Sequence, residues 1–528
     1  MANKNLFKSK KSSVSLKKSK SLVFNEAGGV SYALDDKAAL AQYAMTGTLN
    51  STFYTSEQDQ LNKVIELSKK CDPEFIAKLA VYSRQKGSMK DMPALLTAIV
   101  AARKPELLSK FFSRAIDNPK MLRNFVQILR SGVTGRVSLG TAPKKLIQKY
   151  LNNLSDEQVF KADIGNDPSL SDILKLVHPK PESESRSALY GYLLDKQHDK
   201  AKLPSLVKEF ESFKKDLSKP IPNVPFQMLT ALPLSNIHWK EIARNATWNQ
   251  SKKNLNTFMR HGVFTDNKMI DLVAQRLSDK DQVLKSKVFP YEMYTAFKSV
   301  NSELPKKLTL ALQDAAEFST ENIPSFKGKV FVMVDTSGSM SSPATGYRKG
   351  ATSVTSCVEV AALFASAILR KNPEAEVIPF DTDVRKVNLN PKDSIMTNTQ
   401  KLSLNGGGTD CSSALKYVNR NNANGDLVIY ISDNQSWVDS TGTMDVWLGK
   451  KQTSSTPTMD QWKKFKFNNP NAKLVNIDIV PTATTPAIGN DVLNIAGFSD
   501  KIFDVIANFV EFGHDKNFWI KTIETVQL

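Results

Sequence analysis

One run, VFVMVDTSGSM from Val330 to Met340, constrains this chain more than any other. The apolar stretch Val330–Val334 has no polar alternation, the pattern of a strand covered on both faces in a parallel sheet. It ends on Asp335, and Ser337 and Ser339 follow at alternate positions, a D-x-S-x-S array of oxygen donors. Gly407-Gly408-Thr409-Asp410 comes about seventy residues later, and Asp433 follows a second apolar run, Leu427–Ile431. In open α/β sheets, ligands gather beyond the carboxyl ends of strands, near a switch in strand order. Asp335, Ser337, Ser339, Thr409 and Asp433 are therefore predicted to converge as one metal site. Hydroxyls and carboxylates are hard donors, which suit Mg2+ first and Mn2+ second. Such a set leaves one coordination position open for water or an acidic partner.

The surrounding pattern agrees. Apolar runs at Val330–Val334, Ala375–Phe380, Leu427–Ile431 and Leu474–Val480 alternate with helical stretches at Thr352–Leu369, Ser412–Val418 and Lys501–Phe509. Alternation of this kind reads as a doubly wound, Rossmann-like parallel sheet. With the donors in this order, the C-terminal third resembles a von Willebrand A domain. Phosphatase chemistry of the haloacid-dehalogenase type needs a second aspartate two positions after the nucleophile, where Ser337 stands. No G-x-x-x-x-G-K-[ST] phosphate loop exists. Asp381 and Asp383 read as an ordinary polar loop at a strand end, and His514 as a surface histidine.

Upstream the texture is different. From about Asp35 to Thr320 helix follows helix, with Pro73, Pro93, Pro105, Pro119, Pro143 and Pro290 at first-turn positions. Thr55 and Gln58 have capping-box spacing. Helices of about a dozen residues joined by short loops predict stacked antiparallel pairs, an all-α HEAT-like array without a clean period of about 40 residues. Charge separates the two parts. The chain carries a net charge of +18, yet residues 325–528 hold 21 basic against 20 acidic side chains, leaving 50 against 33 for residues 1–324. An excess of +17 in the helical part points to a polyanionic partner, nucleic acid before membrane. The predicted organisation is a disordered basic arm over 1–22, a helical domain over 23–324 and the α/β domain over 325–528. The arm carries seven lysines and no acid, too little apolar surface to order itself.

Within the helical part, Lys144, Lys145 and Lys149 share one helix face behind Arg136, and Lys175, His178 and Lys180 follow. Such clusters neutralise phosphates without reading sequence. Tyr150, Tyr190, Tyr192, Trp239 and Trp248 suit either base stacking or the core. Cys71, Cys357 and Cys411 are too scattered for a disulfide framework or thiolate zinc site. The longest apolar windows are too short to span a bilayer, and the Lys-rich start lacks the apolar segment of a secretory signal. A cytoplasmic setting is the expectation.

Asn25–Tyr54 (NEAGGVSYALDDKAALAQYAMTGTLNSTFY), Met92–Ala102, Gly135-Arg136, DILKLVHPKP (Asp172–Pro181), VFVMVDTSGSM, GGTDCS (Gly407–Ser412) and the SDNQSW segment around Asp433 occur in one order. That series resembles bacterial and phage-type members of the Ro autoantigen family, over about Asn25 to Phe509. The resemblance implies a helical-repeat ring, the TROVE domain, closed by the von Willebrand A domain with its MIDAS-type metal site. It implies that single-stranded 3′ ends of misfolded noncoding RNAs enter a central hole. It also implies that small structured Y RNAs bind the basic outer surface and gate access, in cooperation with an exoribonuclease. On this reading the chain is a non-enzymatic, monomeric protein within a ribonucleoprotein, acting in RNA quality control or processing. Arg136 matches the family's Gly-Arg, and His178 matches a family histidine. In animal relatives a histidine with a lysine precedes the aspartate matching Asp172, where this chain has Leu170 and Ser171. The alternative is an adaptor whose metal recruits an acidic protein partner, with no membrane role in either case.

Overall fold

The computed structural model describes residues 22–165, 167–286, 288–321, 323–348, 354–404, 406–438 and 455–528. Apart from Leu22, the predicted basic arm lies outside them. The C-terminal part is built on a five-stranded parallel sheet in the order β4-β3-β5-β6-β8. These strands are β3 (Val330–Asp335), β4 (Glu376–Phe380), β5 (Leu427–Ser432), β6 (Lys473–Asp478) and β8 (Val492–Ala496). β3, β5 and β6 are buried along their whole length, as strands between two helical layers are, β6 even at its polar Lys473, Asn476 and Asp478. Helix Cys357–Lys371 is buried over nearly all its length and starts on a capping box of Ser356 with Glu359. β3 lies between β4 and β5, so the chain leaves it to opposite sides; this is the switch point of the sheet.

The predicted strands are all present, and β8 adds one that polar Asn494 hid in the sequence. Three short strands were also unforeseen. β1 (Leu22–Phe24) and β2 (Val30–Ala33) form a hairpin whose β2 pairs antiparallel with β7 (Thr484–Thr485). The start of the chain is thus stitched to the α/β part.

The helical part runs from Asp36–Thr46 to Lys306–Ser319. Helices begin at Pro73, Pro119 and Pro290, and Pro93 and Pro143 fall in the first turns of theirs, as predicted. One cap is displaced. Ser56, not Thr55, caps helix Glu57–Lys70 by accepting from Asp59 N, because Thr55 still belongs to the preceding turn with Thr52. Successive helices pack as neighbours, Pro73–Gln85 on Asp91–Arg103 and that helix on Pro119–Arg130. The array curves until its early and late helices face each other across a cavity of about 510 Å3.

The two parts interlock. Lys298 pairs with Glu359 at 2.6 Å, and Glu317 accepts from Ile395 N at 2.9 Å. At the other end, the last helix Phe518–Glu524 leaves the sheet and docks on helix Pro73–Gln85, where Trp519 Nε1 donates to Tyr82 Oη at 3.2 Å and Lys78 to Glu524 O at 2.9 Å. Removing a buried indole deletes both its packing and this bond. Trp519→Ala should cost about 3–5 kcal/mol in urea denaturation, and a loss below about 1 kcal/mol would mean that the last helix is not part of the joint.

Candidate metal centre and nucleic-acid interface

The structure brings all the predicted metal ligands to one place, the carboxyl ends of β3 and β5. Asp335 is fully buried as the last residue of β3; its Oδ1 accepts from Ser337 N (2.9 Å) and its Oδ2 from Ser432 Oγ (2.6 Å). Ser337 and Ser339 lie on the turn that follows, their hydroxyls 3.3 Å apart. Asp433, just beyond β5, accepts from Gln435 N at 3.1 Å through its Oδ1. Thr409 is held by its carbonyl, which accepts from Trp437 N at 3.0 Å.

Asp381, read from sequence as part of an ordinary polar loop, has a larger part. It is buried, pairs with Arg385, accepts from Gly407 N at 3.2 Å and, through its carbonyl, from Asp410 N at 2.8 Å. It therefore clamps the loop that carries Thr409. A Cβ on Gly406 would lie 2.3 Å from Asp381 Oδ2, so glycine is required there. Asp410 itself faces away, capping helix Cys411–Arg420 and pairing with Lys416. His514 is exposed, as predicted.

Electrostatics explain what this cluster can do. Burial, then the neighbouring charge of Asp433, pushes Asp335 up to about 7. Asp433 is also raised, chiefly by burial, and Asp478 well above the usual range by burial and Asp433. Among the described residues neither ligand carboxylate is paired with lysine or arginine. Two acids out of water with no countercharge are costly, and a hard divalent ion relieves both the desolvation and the repulsion. Among the described residues no three histidine, cysteine or acidic groups converge, so the donor set is two carboxylates with hydroxyls. That composition fits Mg2+ or Mn2+ and not a thiolate or imidazole metal.

The basic residues separate into two groups. Lys144, Lys145 and Lys149 lie on helix Thr141–Asn152, which packs on helix Leu170–Val177, and Gln148 Nε2 reaches the carbonyls of Val177 (2.5 Å) and His178 (3.4 Å). Lys175, His178 and Lys180 are exposed beside it, His178 ending its helix with φ +49°. These lysines have no acidic partner among the described residues. Arg136 behaves otherwise: its Nη1 donates to Ala101 O at 2.7 Å, closing the end of helix Asp91–Arg103, and its guanidinium lies against Gly140. Leu170 is core and the half-buried Ser171 bonds Leu193 O, so neither position adds a cation to this surface. Tyr190, Trp239 and Trp248 are also core; Tyr150 and Tyr192 are half-buried.

The second group was not foreseen. The cavity between early and late helices is lined by Lys90, Lys120, Lys252, Lys253 and Arg348, against two acids, Asp91 and Glu292. Lys252 is nearly inaccessible and pairs with Glu292 at 2.8 Å. Burial lowers Lys252, while Glu292 is held below its ordinary range by that lysine despite its own burial. Lys90 is lowered by burial and by Lys120 and Lys253, so lysines from both ends of the array feel one another across the space. None of the predicted RNA-binding residues lines it. The Lys252-Lys253 doublet was the one visible signal.

Comparison with known proteins agrees with this architecture. The TROVE domain family model matches residues 8–217 and 239–356, and the Ro60 vWA domain model matches residues 329–510. The chain is 23% identical over 524 residues to a Deinococcus radiodurans protein named RNA-binding protein RO60, covering 92% of this chain and 95% of that one. A Caenorhabditis elegans protein of the same name is 25% identical over 183 residues, 33% of this chain and 28% of its own. The crystal structure of the Deinococcus radiodurans RO (RSR) protein superposes with a TM-score of 0.60 at 18% identity, over 90% of this chain and 99% of that chain.

Arg136→Ala leaves the carbonyl of Ala101 without its donor. A stability loss of about 1–3 kcal/mol is expected, read by urea denaturation, with RNA affinity at low salt changed less than by Lys145→Ala.

Proposed function

The chain belongs to the Ro60 family, which joins a TROVE domain to a Ro60 vWA domain, and from that premise we propose that it is an RNA-binding scaffold. The single observation that carries this reading is the lysine-lined cavity. Five cations from helices far apart in sequence, and from the α/β part, face one space with two acids between them. At about 510 Å3 it lies within the roughly 300–1,000 Å3 of ordinary ligand cavities, room for a short length of single strand and not for a double helix. Phosphates passing through it release counterions, so binding is salt-dependent and indifferent to sequence. Single-stranded 3′ ends of misfolded noncoding RNAs are the ligands of this chemistry.

The cluster of exposed Lys145, Lys149, Lys175, His178 and Lys180 with half-buried Lys144 is a separate surface, suited to the backbone of a small structured RNA of the Y type. An RNA held there controls access of a tail to the cavity, and the protein presents tails to an exoribonuclease without cleaving them. The Asp335–Asp433 cluster holds Mg2+ or Mn2+ as a structural ion that joins β3, β5 and the Thr409 loop. No helix among the described residues is long and apolar enough to cross a membrane; the cytoplasm is the setting in which such RNAs are met.

Two triple variants separate the surfaces. Lys90→Glu with Lys120→Glu and Lys253→Glu should abolish the extra affinity that a single-stranded 3′ tail confers on a hairpin, measured by fluorescence anisotropy. The corresponding reversal of Lys144, Lys145 and Lys149 should weaken tailless hairpins more. In each case the salt slope falls by about 2–3, from three lost phosphate contacts at about 0.7–0.9 each. Binding by both variants equal to that of the unaltered protein would overturn the reading. Separately, Asp433→Ala should lose Mn2+ binding in calorimetry, and its melting temperature should no longer rise with Mg2+, while RNA affinity stays within about twofold.

A further inference from the structure

Between helix Ser205–Lys215 and helix Asn236–Asn245 the chain carries Pro220, Pro222, Pro225 and Pro233. Proline offers no N–H and turns the residue before it away from helix, so this stretch is an irregular strap with one short helix, Phe226–Leu229. Helix-on-helix packing is interrupted there. A pocket of about 550 Å3 remains between the strap, helix Asp156–Lys161 and helix Trp248–Arg260. None of the residues assigned above to metal or RNA lines it. The strap also lies in the break between the two stretches that the TROVE model matches.

Two kinds of surface meet in this pocket. Pro222, Pro225, Phe226, Ile242 and Phe258 supply apolar walls. The half-buried Phe226 ring is braced edge-to-face by Trp239, with centroids 5.5 Å apart, and Trp239 in turn stacks flat on His261 at 4.0 Å. Gln250 and Asn254, one turn apart on helix Trp248–Arg260, line the same space, and the backbone orients both amides. Gln250 Oε1 accepts from Thr247 N at 2.7 Å in the capping box of that helix, and Asn254 Nδ2 donates to Gln250 O at 2.8 Å. A backbone N–H only donates and a carbonyl only accepts, so neither amide can be reversed. Gln250 Nε2 is left as a donor and Asn254 Oδ1 as an acceptor, neither with a partner among the described residues. The one charged residue among those lining the pocket is Lys161. Its pairing with Glu157 of its own helix, at 3.6 Å, is of the surface kind that holds a lysine weakly.

We infer that this pocket receives one unpaired nucleobase of a bound RNA, its ring on Phe226 and its edge on Gln250 Nε2 and Asn254 Oδ1, with Lys161 on the adjoining phosphate. Unpaired bases are recognised by aromatic stacking together with hydrogen bonds along an edge, and each base edge carries donors beside acceptors. The volume lies within the roughly 300–1,000 Å3 of ordinary ligand cavities. One cation and no acid suit a single phosphate, whereas the lysine-lined cavity suits several in a row. A cationic ligand would find no carboxylate here. The helix that ends on Lys161 is the next along the chain after the one bearing Lys144, Lys145 and Lys149, so an RNA on those lysines has the pocket in its neighbourhood in the array. The inference rests on the RNA reading above and adds a site that takes a base to one that takes phosphates without regard to sequence.

The monophosphate of 2-aminopurine riboside, whose emission is quenched when its ring stacks, tests it by titration with the full chain at physiological salt. Gln250→Glu keeps an oxygen for Thr247 N and so keeps the capping box, but it turns the free donor into an acceptor. Phe226→Leu keeps apolar bulk and removes the ring. Expected are saturable quenching by the unaltered chain and roughly 10-fold weaker binding in each variant, with melting temperatures showing that both variants fold. Should Phe226→Leu fail to fold, Gln250→Glu decides alone. Adenosine monophosphate should displace the probe, and ribose 5-phosphate should not. No quenching by the unaltered chain, equal quenching by folded variants, or equal displacement by ribose 5-phosphate overturns the pocket. The scaffold reading is judged apart, by hairpin binding: if hairpins bind while the probe does not, only the pocket falls, and if the unaltered chain binds no hairpin, both fall.

Discussion

Two carboxylates held out of water at the ends of β3 and β5 organise the whole C-terminal face of the sheet. Asp335 and Asp433 repel each other in a place where water cannot separate them, and each polar group near them is turned to compensate. Ser432 donates to one and the Gln435 amide to the other; Asp381, a layer out, fixes the loop that brings Thr409. An arrangement of this kind is destabilising in isolation. It persists because the sheet and its helices over-determine the backbone, with β3 and β5 wholly buried on both sides. The helical part faces the opposite electrostatic problem, too many cations around one space, eased there by a single buried pair, Lys252 with Glu292.

The α/β part and its donors were legible because their signals are local. β3 and β5 carry apolar runs, and Asp335, Ser337, Ser339 and Asp433 stand at or within a few residues of their ends, whereas Thr409 is read from its Gly-Gly-Thr-Asp loop. Short strands were not legible: β7 is two threonines, and β8 carries Asn494, whose amide is absorbed by Asn476 and Thr485 in three dimensions. Nearby lysines at 144–149 drew attention because they are neighbours in the chain, yet they sit outside the cavity. Lys90 and Lys253 belong to ordinary helical surroundings and acquire meaning only when the array closes and brings them within reach of each other. Arg136 looked like a free cation beside a glycine; its guanidinium is occupied with the end of a helix. Charge in a sequence can be counted, but whether it is available depends on the carbonyls that tertiary structure places next to it.

Family membership and geometry support each other without duplicating one another. The family models span both parts of the chain, while the TROVE match breaks over residues 218–238. That gap covers the prolines Pro220, Pro222, Pro225 and Pro233, where the one helix wholly inside it, Phe226–Leu229, is four residues long. The lysine-lined cavity lies elsewhere, between helices within the matched regions.

Both ends of the described chain cross over: the opening hairpin is sewn to β7, and the closing helix grips Tyr82 on the far side of the joint. Two bodies joined by a single linker swing like a door, whereas these are also fastened at the hairpin, at the last helix and by side-chain pairs such as Lys298 with Glu359. Prying them apart means peeling a strand pair or a docked helix as well as straightening the linker. The cavity they enclose, walled by Lys90 and Lys253 from one body and Arg348 from the other, accordingly keeps its width.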